Sequence, residues 1–243
     1  MDFELQDVTM KFQDKCALKD VTLKGKEGEI IAFIGPSGSG KTTLLRIINM
    51  LDSPTKGIVK IQGQNPGKLS NGERYSLRTD MAMVFQNPSL FQRTVEANVA
   101  YALKIRNTQP ETIDEKVAWA LKLVGLENLK HQFAPTLSAG EAQRVSFARA
   151  IVFEPKLLLL DEFTANLDPA NVKLLEEAVI RYHQETNATI ACATHNLFQA
   201  KRLAHEVVFI LDGEIVEKAK KEDFFESPQN QLTRSFLSGE LIC

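Results

Sequence analysis

Gly35, Pro36, Ser37, Gly38, Ser39, Gly40, Lys41 and Thr42 follow one another in the order of a phosphate-binding P-loop, with Thr43 behind them. Glycines let the backbone turn so that successive N–H groups enclose a β-phosphate, and a helix beginning at the loop's end adds its positive dipole end. In that loop Lys41 binds β- and γ-oxygens. The Thr42 hydroxyl suits Mg²⁺, a small hard cation that takes oxygen ligands and keeps several waters. Asp161 and Glu162 end the apolar run 157–160, and a carboxylate pair at a strand's end lies where open α/β folds bind ligands. Asp161 can hold the metal through water, while Glu162 can orient and polarise an attacking water. Phosphoryl transfer is mostly positioning and electrostatic stabilisation, so these groups fit nucleotide hydrolysis.

Such residues need a scaffold that brings strand ends together. Residues 30–34 form an apolar run ending in glycine, and 42–51 carry apolar residues at helical spacing (Leu44, Leu45, Ile47, Ile48, Leu51), which gives strand, loop, helix. The same grammar returns at 157–160 (strand), 172–183 (helix), 189–193 (strand), 197–203 (helix) and 207–211 (strand). Alternation of this kind implies an α/β fold with a mainly parallel sheet covered on both faces. The first thirty or so residues alternate weakly and read as a small antiparallel β layer. Residues 88–151 show helical stretches at 95–104, 113–124 and 141–151 and read as a helical insertion. One domain is expected, with 1–87 and 152–219 as core, 88–151 as helical subdomain and 220–243 as a short tail of two helical pieces around Pro228.

Composition removes other classes. The 243 residues carry 29 Lys+Arg against 31 Asp+Glu, a formal net charge of −2, so attachment to nucleic acid through counterion release is not expected. The longest apolar runs fall far short of the roughly 20 residues needed to span a bilayer. The N-terminus shows no basic n-region or apolar h-region, so residence in the cytosol is expected. Cys16, Cys192 and Cys243 are widely spaced without a CxxC pair and read as structural thiols.

Leu137, Ser138, Ala139, Gly140 and Glu141 resemble the signature of ABC-type ATPases. Other markers of that family stand in order: Gln86 after Val84 and Phe85, Asn166-Leu167-Asp168 past Glu162, and His195 after the 189–193 strand. The resemblance covers essentially the whole chain. It implies a P-loop NTPase with a RecA-like sheet that forms a head-to-tail homodimer, each ATP lying between the P-loop of one copy and the signature of the other. In that arrangement Ser138 and the backbone of Gly140 contact the γ-phosphate across the interface, and Asp168 follows the loop that crosses it. His195 holds Glu162 and the water in line, Gln86 touches Mg²⁺ and water, and Phe12 matches the aromatic stacked on adenine, with Phe3 and Phe33 as the core alternatives.

The sequence departs from the family at Ala139 (commonly glycine), Glu141 (commonly glutamine) and Phe163 (commonly proline). None removes a catalytic group, although Glu141 adds negative charge beside ATP, and altered rates or dimer affinity are expected. The resemblance further implies a peripheral subunit on the cytoplasmic side of the membrane, driven by ATP and coupled to paired permease subunits, with an extracytoplasmic binding protein delivering the solute. The segment 88–101, with Leu90, Phe91, Val95 and Val99, is the candidate docking surface. The loop 131–136 before the signature resembles importers rather than fused exporters. The stretches 91–98, 164–168 and 236–240 are similar to oxyanion importers, especially the tungstate type, and the short tail differs from molybdate and sugar importers with an added β-domain. The alternatives are an importer of another small solute, such as phosphate, an amino acid or a metal, and a soluble ABC ATPase that powers an assembly.

Overall fold

Runs of buried aliphatic residues make the central strands, because a strand packed on both faces has no polar side. In the computed structural model, which describes residues 1–13 and 15–240, β3 (Ile30–Ile34) and β6 (Leu157–Asp161) are buried throughout. Around them the order is β1 (Phe3–Phe12), β2 (Lys15–Gly25), β3, α1 (Lys41–Ile48), β4 (Lys56–Ile61), α2 (Asn71–Thr79) and β5 (Met81–Val84). Then come α3 (Val95–Lys104), α4 (Pro110–Leu123), α5 (Ala139–Ile151), β6, α6 (Pro169–Thr186), β7 (Thr189–Thr194) and α7 (Leu197–Leu203). The chain continues with β8 (Glu206–Leu211), β9 (Glu214–Lys220), α8 (Lys221–Glu226) and α9 (Gln231–Ser238).

A six-stranded sheet has the order β5-β6-β7-β3-β8-β9, and a three-stranded antiparallel sheet has the order β2-β1-β4. The large sheet is parallel except for β9, which returns antiparallel to β8 around Asp212 and Gly213. Both turn residues have positive φ (49° and 81°), as a tight hairpin requires.

Alternation along β6 decides which layer each leucine meets. Leu158 and Leu160 pack with α3, α4, α5 and α6 through Val99, Leu121, Phe147 and Leu175. Leu157 and Leu159 face the other way, toward Leu44 and Ile48 of α1 and Phe3 and Leu23 of the small sheet. α1 is therefore held between the two sheets, with the loop before it at the carboxyl edge of β3. It stops at Ile48, short of the expected Leu51, because Met50 takes a left-handed φ of 54° and the Leu51 N–H turns back to the Arg46 carbonyl at 2.9 Å. An Arg46–Asp52 ion pair of 2.7 Å closes that turn.

Cys16 and Cys192 are free thiols, and burial raises the Cys192 thiol far above its ordinary pKa; Cys243 lies outside the described residues. Among the described residues no helix is long and apolar enough to cross a membrane.

Candidate functional site

Register brings the chemistry to one edge. Ile34 of β3 pairs with Thr194 of β7, and Asp161 of β6 pairs with Ala193, so the residues that follow (Gly35, Glu162, His195) leave adjacent strands at the same end. Val84 of β5 pairs with Leu160, which places the Phe85-Gln86 loop at that end too.

The P-loop is tightly enclosed. Gly35 has φ 150° and a Cβ there would meet the Ile210 carbonyl at 2.1 Å; Gly40 has φ 106° and a Cβ there would meet the Ala17 carbonyl at 2.5 Å. Only glycine fits either place without displacing backbone. Ser37 and Gly38 are exposed at the loop's tip, while Ser39 is buried with its hydroxyl unpartnered. Pro36 and Gly35 offer their carbonyls to Lys41 Nζ at 2.7 and 2.8 Å. Burial pulls the Lys41 ammonium below its ordinary pKa, opposed by the charges of Glu162 and Asp161.

Thr42 Oγ1 donates to Asp161 Oδ1 at 2.9 Å, with Thr43 behind it in the first turn of α1. Burial pushes the Asp161 carboxyl above its ordinary pKa; the Thr42 hydrogen bond opposes the shift, Glu162 adds to it, and Lys41 and Arg46 oppose it. Glu162 lies one residue on, in the left-handed region at φ 44°, a conformation sparsely populated by residues with a Cβ. Its N–H donates to the Ala193 carbonyl and its carbonyl accepts from the Ala165 N–H, both at 2.9 Å. Its carboxylate thus stands 3.9 Å from Lys41 Nζ and 3.2 Å from His195 Nδ1. The His195 side chain is 63% exposed, so a group approaching from solvent meets it first.

Lys41, Thr42, Asp161, Glu162 and His195 form one cluster. Gln86 is exposed at its rim and makes no hydrogen bond among those of the described residues. Phe12 is 49% exposed at the end of β1, opposite Lys15, whereas Phe3 and Phe33 are buried in the core. Ser138, Gly140 and Asp168 form a second group at the starts of α5 and α6. Ser138 caps α5, accepting from the Glu141 N–H, while Glu141 Oε2 takes the Ser138 hydroxyl and N–H at 2.7 and 2.8 Å. Those bonds hold the Glu141 carboxyl below its ordinary pKa. Asp168 caps α6 through the Ala170 and Asn171 N–H groups, and the Asn171 side chain, hydrogen-bonded to Asp168, lies against Gly140. No hydrogen bond among those of the described residues joins this group to the P-loop.

The family description "ABC transporter" matches residues 18–165, from β2 through the segment after Glu162. The chain belongs to the ABC transporter family. It is an ABC-type ATPase; Lys41, Thr42, Ser138, Gly140, Asp161 and Glu162 lie inside the matched residues, and Asp168 and His195 lie beyond them. A phosphate import ATP-binding protein, PstB 2 of Natronomonas pharaonis, is 40% identical over 97% of this chain and 86% of its own length. The methionine import ATP-binding protein MetN of Aliivibrio fischeri is 40% identical over 93% of this chain, which spans 66% of that relative's length. An ATP-binding cassette solved as a dimer in a post-hydrolysis state with ADP and Pi superposes with TM-score 0.82 at 31% identity, over 90% of this chain and 98% of that one.

Two features of this ABC ATPase carried no sequence signal. Gln143 is buried in α5, and its amide donates to the Phe85 carbonyl at 2.9 Å, tying the signature helix to the loop that carries Gln86. Asn171 fills the place left by the missing Cβ of Gly140. The docking segment is corrected in part. Thr94 caps α3 so that Val95 and Val99 turn into the core, both fully buried, and they take no part in an outer surface. Phe91 stays 40% exposed, 4.6 Å from the Tyr101 ring, beside a groove lined by Phe85, Tyr101, Ile105, Arg149 and Phe153.

Proposed function

We propose that this chain hydrolyses ATP as a head-to-tail homodimer and thereby drives import of a small solute through membrane permease subunits. The observation that carries the reading is the Glu162 carboxylate held between Lys41 and His195 in a cluster from which Ser138 and Gly140 are absent. One copy therefore offers half of a site, and a second copy facing it supplies the signature. The buried, unpartnered Ser39 hydroxyl and the glycine-walled loop fit phosphate oxygens. The Thr42 hydroxyl and Asp161 carboxylate are hard oxygen donors that fit Mg²⁺. When bound, the ion would neutralise developing phosphate charge, with Gln86 beside it.

Within this chain, Lys41 binds the β- and γ-phosphates, Glu162 orients and polarises water, and His195 keeps Glu162 in line. Phe12 stacks on adenine. Ser138, the Gly140 backbone and Asp168 act on the nucleotide held by the other copy, the start of α5 presenting N–H groups to its γ-phosphate. The aromatic groove beside Phe91, on the helical subdomain 88–151, receives the permease and keeps the subunit peripheral on the cytoplasmic face. The solute is an oxyanion such as tungstate or molybdate, delivered by an extracytoplasmic binding protein. A phosphate importer among the relatives supports an oxyanion, and the stretches 91–98 and 164–168 support the tungstate type.

Mass spectrometry of what co-purifies with the chain from solubilised membranes tests the proposal. A permease together with a binding protein is the expected result, and the ligand of that binding protein names the solute. Recovery with soluble assembly proteins alone would overturn the transport reading.

A further inference from the structure

The segments that present Glu162 and His195 leave neighbouring strands and diverge, one toward α6 and one into α7. Glu162 sits in a left-handed conformation, so its side-chain direction depends on how the following residues are anchored. Besides the Ala165 N–H bond to the Glu162 carbonyl, that segment is anchored at Thr164, whose hydroxyl accepts from Gln199 Nε2 at 2.8 Å. Apart from the Glu162–His195 pair, it is the only side-chain hydrogen bond among those of the described residues that joins the segment after Glu162 to the helix after His195.

Gln199 is held through its backbone N–H and its amide NH₂. It is fully buried, its backbone N–H donates to the Asn196 cap of α7 at 3.1 Å, and its Nε2 also donates to Glu176 Oε1 at 3.2 Å. The Arg202 guanidinium grips the Glu176 carboxylate in a two-bond fork, at 2.6 and 2.7 Å. A carboxylate so held only accepts, so the Gln199 amide must turn its NH₂ toward Glu176 and Thr164. Gln199 Oε1 is then left buried without a partner. Asn196, between His195 and this helix, is itself pinned by donating its N–H to Thr194 Oγ1 at 3.0 Å.

We propose that Gln199, braced by Glu176 and Arg202, is a positioning residue that sets Glu162 against His195 through the Thr164 hydroxyl. It acts through Thr164 rather than on the reacting groups. Losing its bond frees the segment after Glu162 and lengthens the Glu162–His195 approach without altering the P-loop. This inference rests on the hydrolytic role proposed for Glu162.

The test is steady-state ATP hydrolysis by the purified full-length chain, reading kcat and KM separately, for Thr164→Val, Thr164→Ser, Gln199→Leu, the Thr164→Val/Gln199→Leu double variant and Glu162→Gln. Val keeps the shape of Thr and loses the hydroxyl; Ser keeps the hydroxyl and loses a methyl. Expected are a roughly tenfold fall in kcat for Thr164→Val with KM unchanged, near wild-type kcat for Thr164→Ser, and a double variant no slower than Gln199→Leu alone. A merely packing role predicts the reverse order for Val and Ser, which would overturn the proposal. Wild-type kcat in Thr164→Val would do the same, and that variant keeps the test open where Gln199→Leu does not fold. Turnover surviving in Glu162→Gln would instead remove the hydrolytic reading itself, whereas its loss beside an unaffected Thr164→Val removes only the role of Gln199.

Discussion

His195 Nδ1 lies 3.2 Å from Glu162 Oε2, although the two residues leave different strands of the sheet. The pairing depends on β6 and β7 being in register, Asp161 opposite Ala193, and on Glu162 donating its N–H to that same Ala193. Sheet register, backbone strain and a side-chain pair thus form one device. Lys41 reaches the other carboxylate oxygen, Oε1, at 3.9 Å, so the carboxylate stands between a buried ammonium and an imidazole open to solvent.

Glu162→Gln keeps the shape of this contact and removes the charge proposed to polarise water. Turnover is expected to fall by about 10²–10⁴, the usual contribution of a general base, with ATP binding retained. A stable ATP-bound dimer should then accumulate. Phosphate release and size-exclusion chromatography with and without Mg-ATP check both halves, and wild-type turnover would remove Glu162 from its role.

Gly140→Ala should disable the protein from within α5. A Cβ there meets the Asn171 side chain at 2.3 to 2.6 Å, and Asn171 is held by Asp168 and has little freedom to withdraw. Overpacking of this kind costs about 1–3 kcal/mol, so a lower melting temperature and a displaced signature are expected, with ATPase activity reduced. Adding Asn171→Ala should restore much of both, and failure of that rescue would show that the crowding lies elsewhere.

How much of this was legible follows from where each signal lives. The P-loop, the Asp161-Glu162 pair and the central strands were readable because a buried parallel strand leaves an unbroken apolar run and glycines cannot be replaced beside Ile210 and Ala17. β4 was missed because its residues at Lys56, Gly57 and Ile58 are exposed and no clean alternation survives. β9 escaped although Asp212 and Gly213 are a hairpin dipeptide, since the exposed Glu214 and half-buried Glu217 hide the strand. Val95 and Val99 read as surface from the sequence because helical spacing shows a face without saying which way it points. Gln143, Asn171 and Gln199 carry contacts between segments far apart in the chain, which no local pattern encodes.

Phe91 offers a test of the docking face. Its ring is 40% exposed against Tyr101, while its backbone is fixed by Asn98, which accepts from the Phe91 N–H at 2.7 Å and donates to its carbonyl at 3.0 Å. Phe91→Glu therefore changes the surface without loosening the loop. Basal ATPase activity should stay within about twofold, since surface changes typically move stability by less than 0.5 kcal/mol. Association with membranes should be lost, and a membrane fraction that still holds the variant would place the docking site elsewhere.

Glu141 makes the pH dependence calculable in sign. Its carboxylate accepts from the Ser138 hydroxyl and N–H, which lowers its pKa in the fold below the ordinary value of 4.5. The folded state then binds protons less readily than the unfolded chain, so this stabilisation is fully present above pH 4.5 and is lost as pH falls through the lower folded value. Glu141→Gln keeps a side-chain acceptor for the capping box and gives up the charge near the helix N-terminus, worth about 0.3–1 kcal/mol. The variant should melt slightly below wild type at pH 7, and the gap should close in acid as the wild-type carboxyl protonates. The same bonds occupy the Ser138 hydroxyl, the group proposed to meet the γ-phosphate of the other copy. Weakening them and removing negative charge should strengthen ATP-driven dimerisation of Glu141→Gln at pH 7, measured by size exclusion at limiting ATP in the Glu162→Gln background. Equal or weaker dimerisation would show that Glu141 does not restrain the signature.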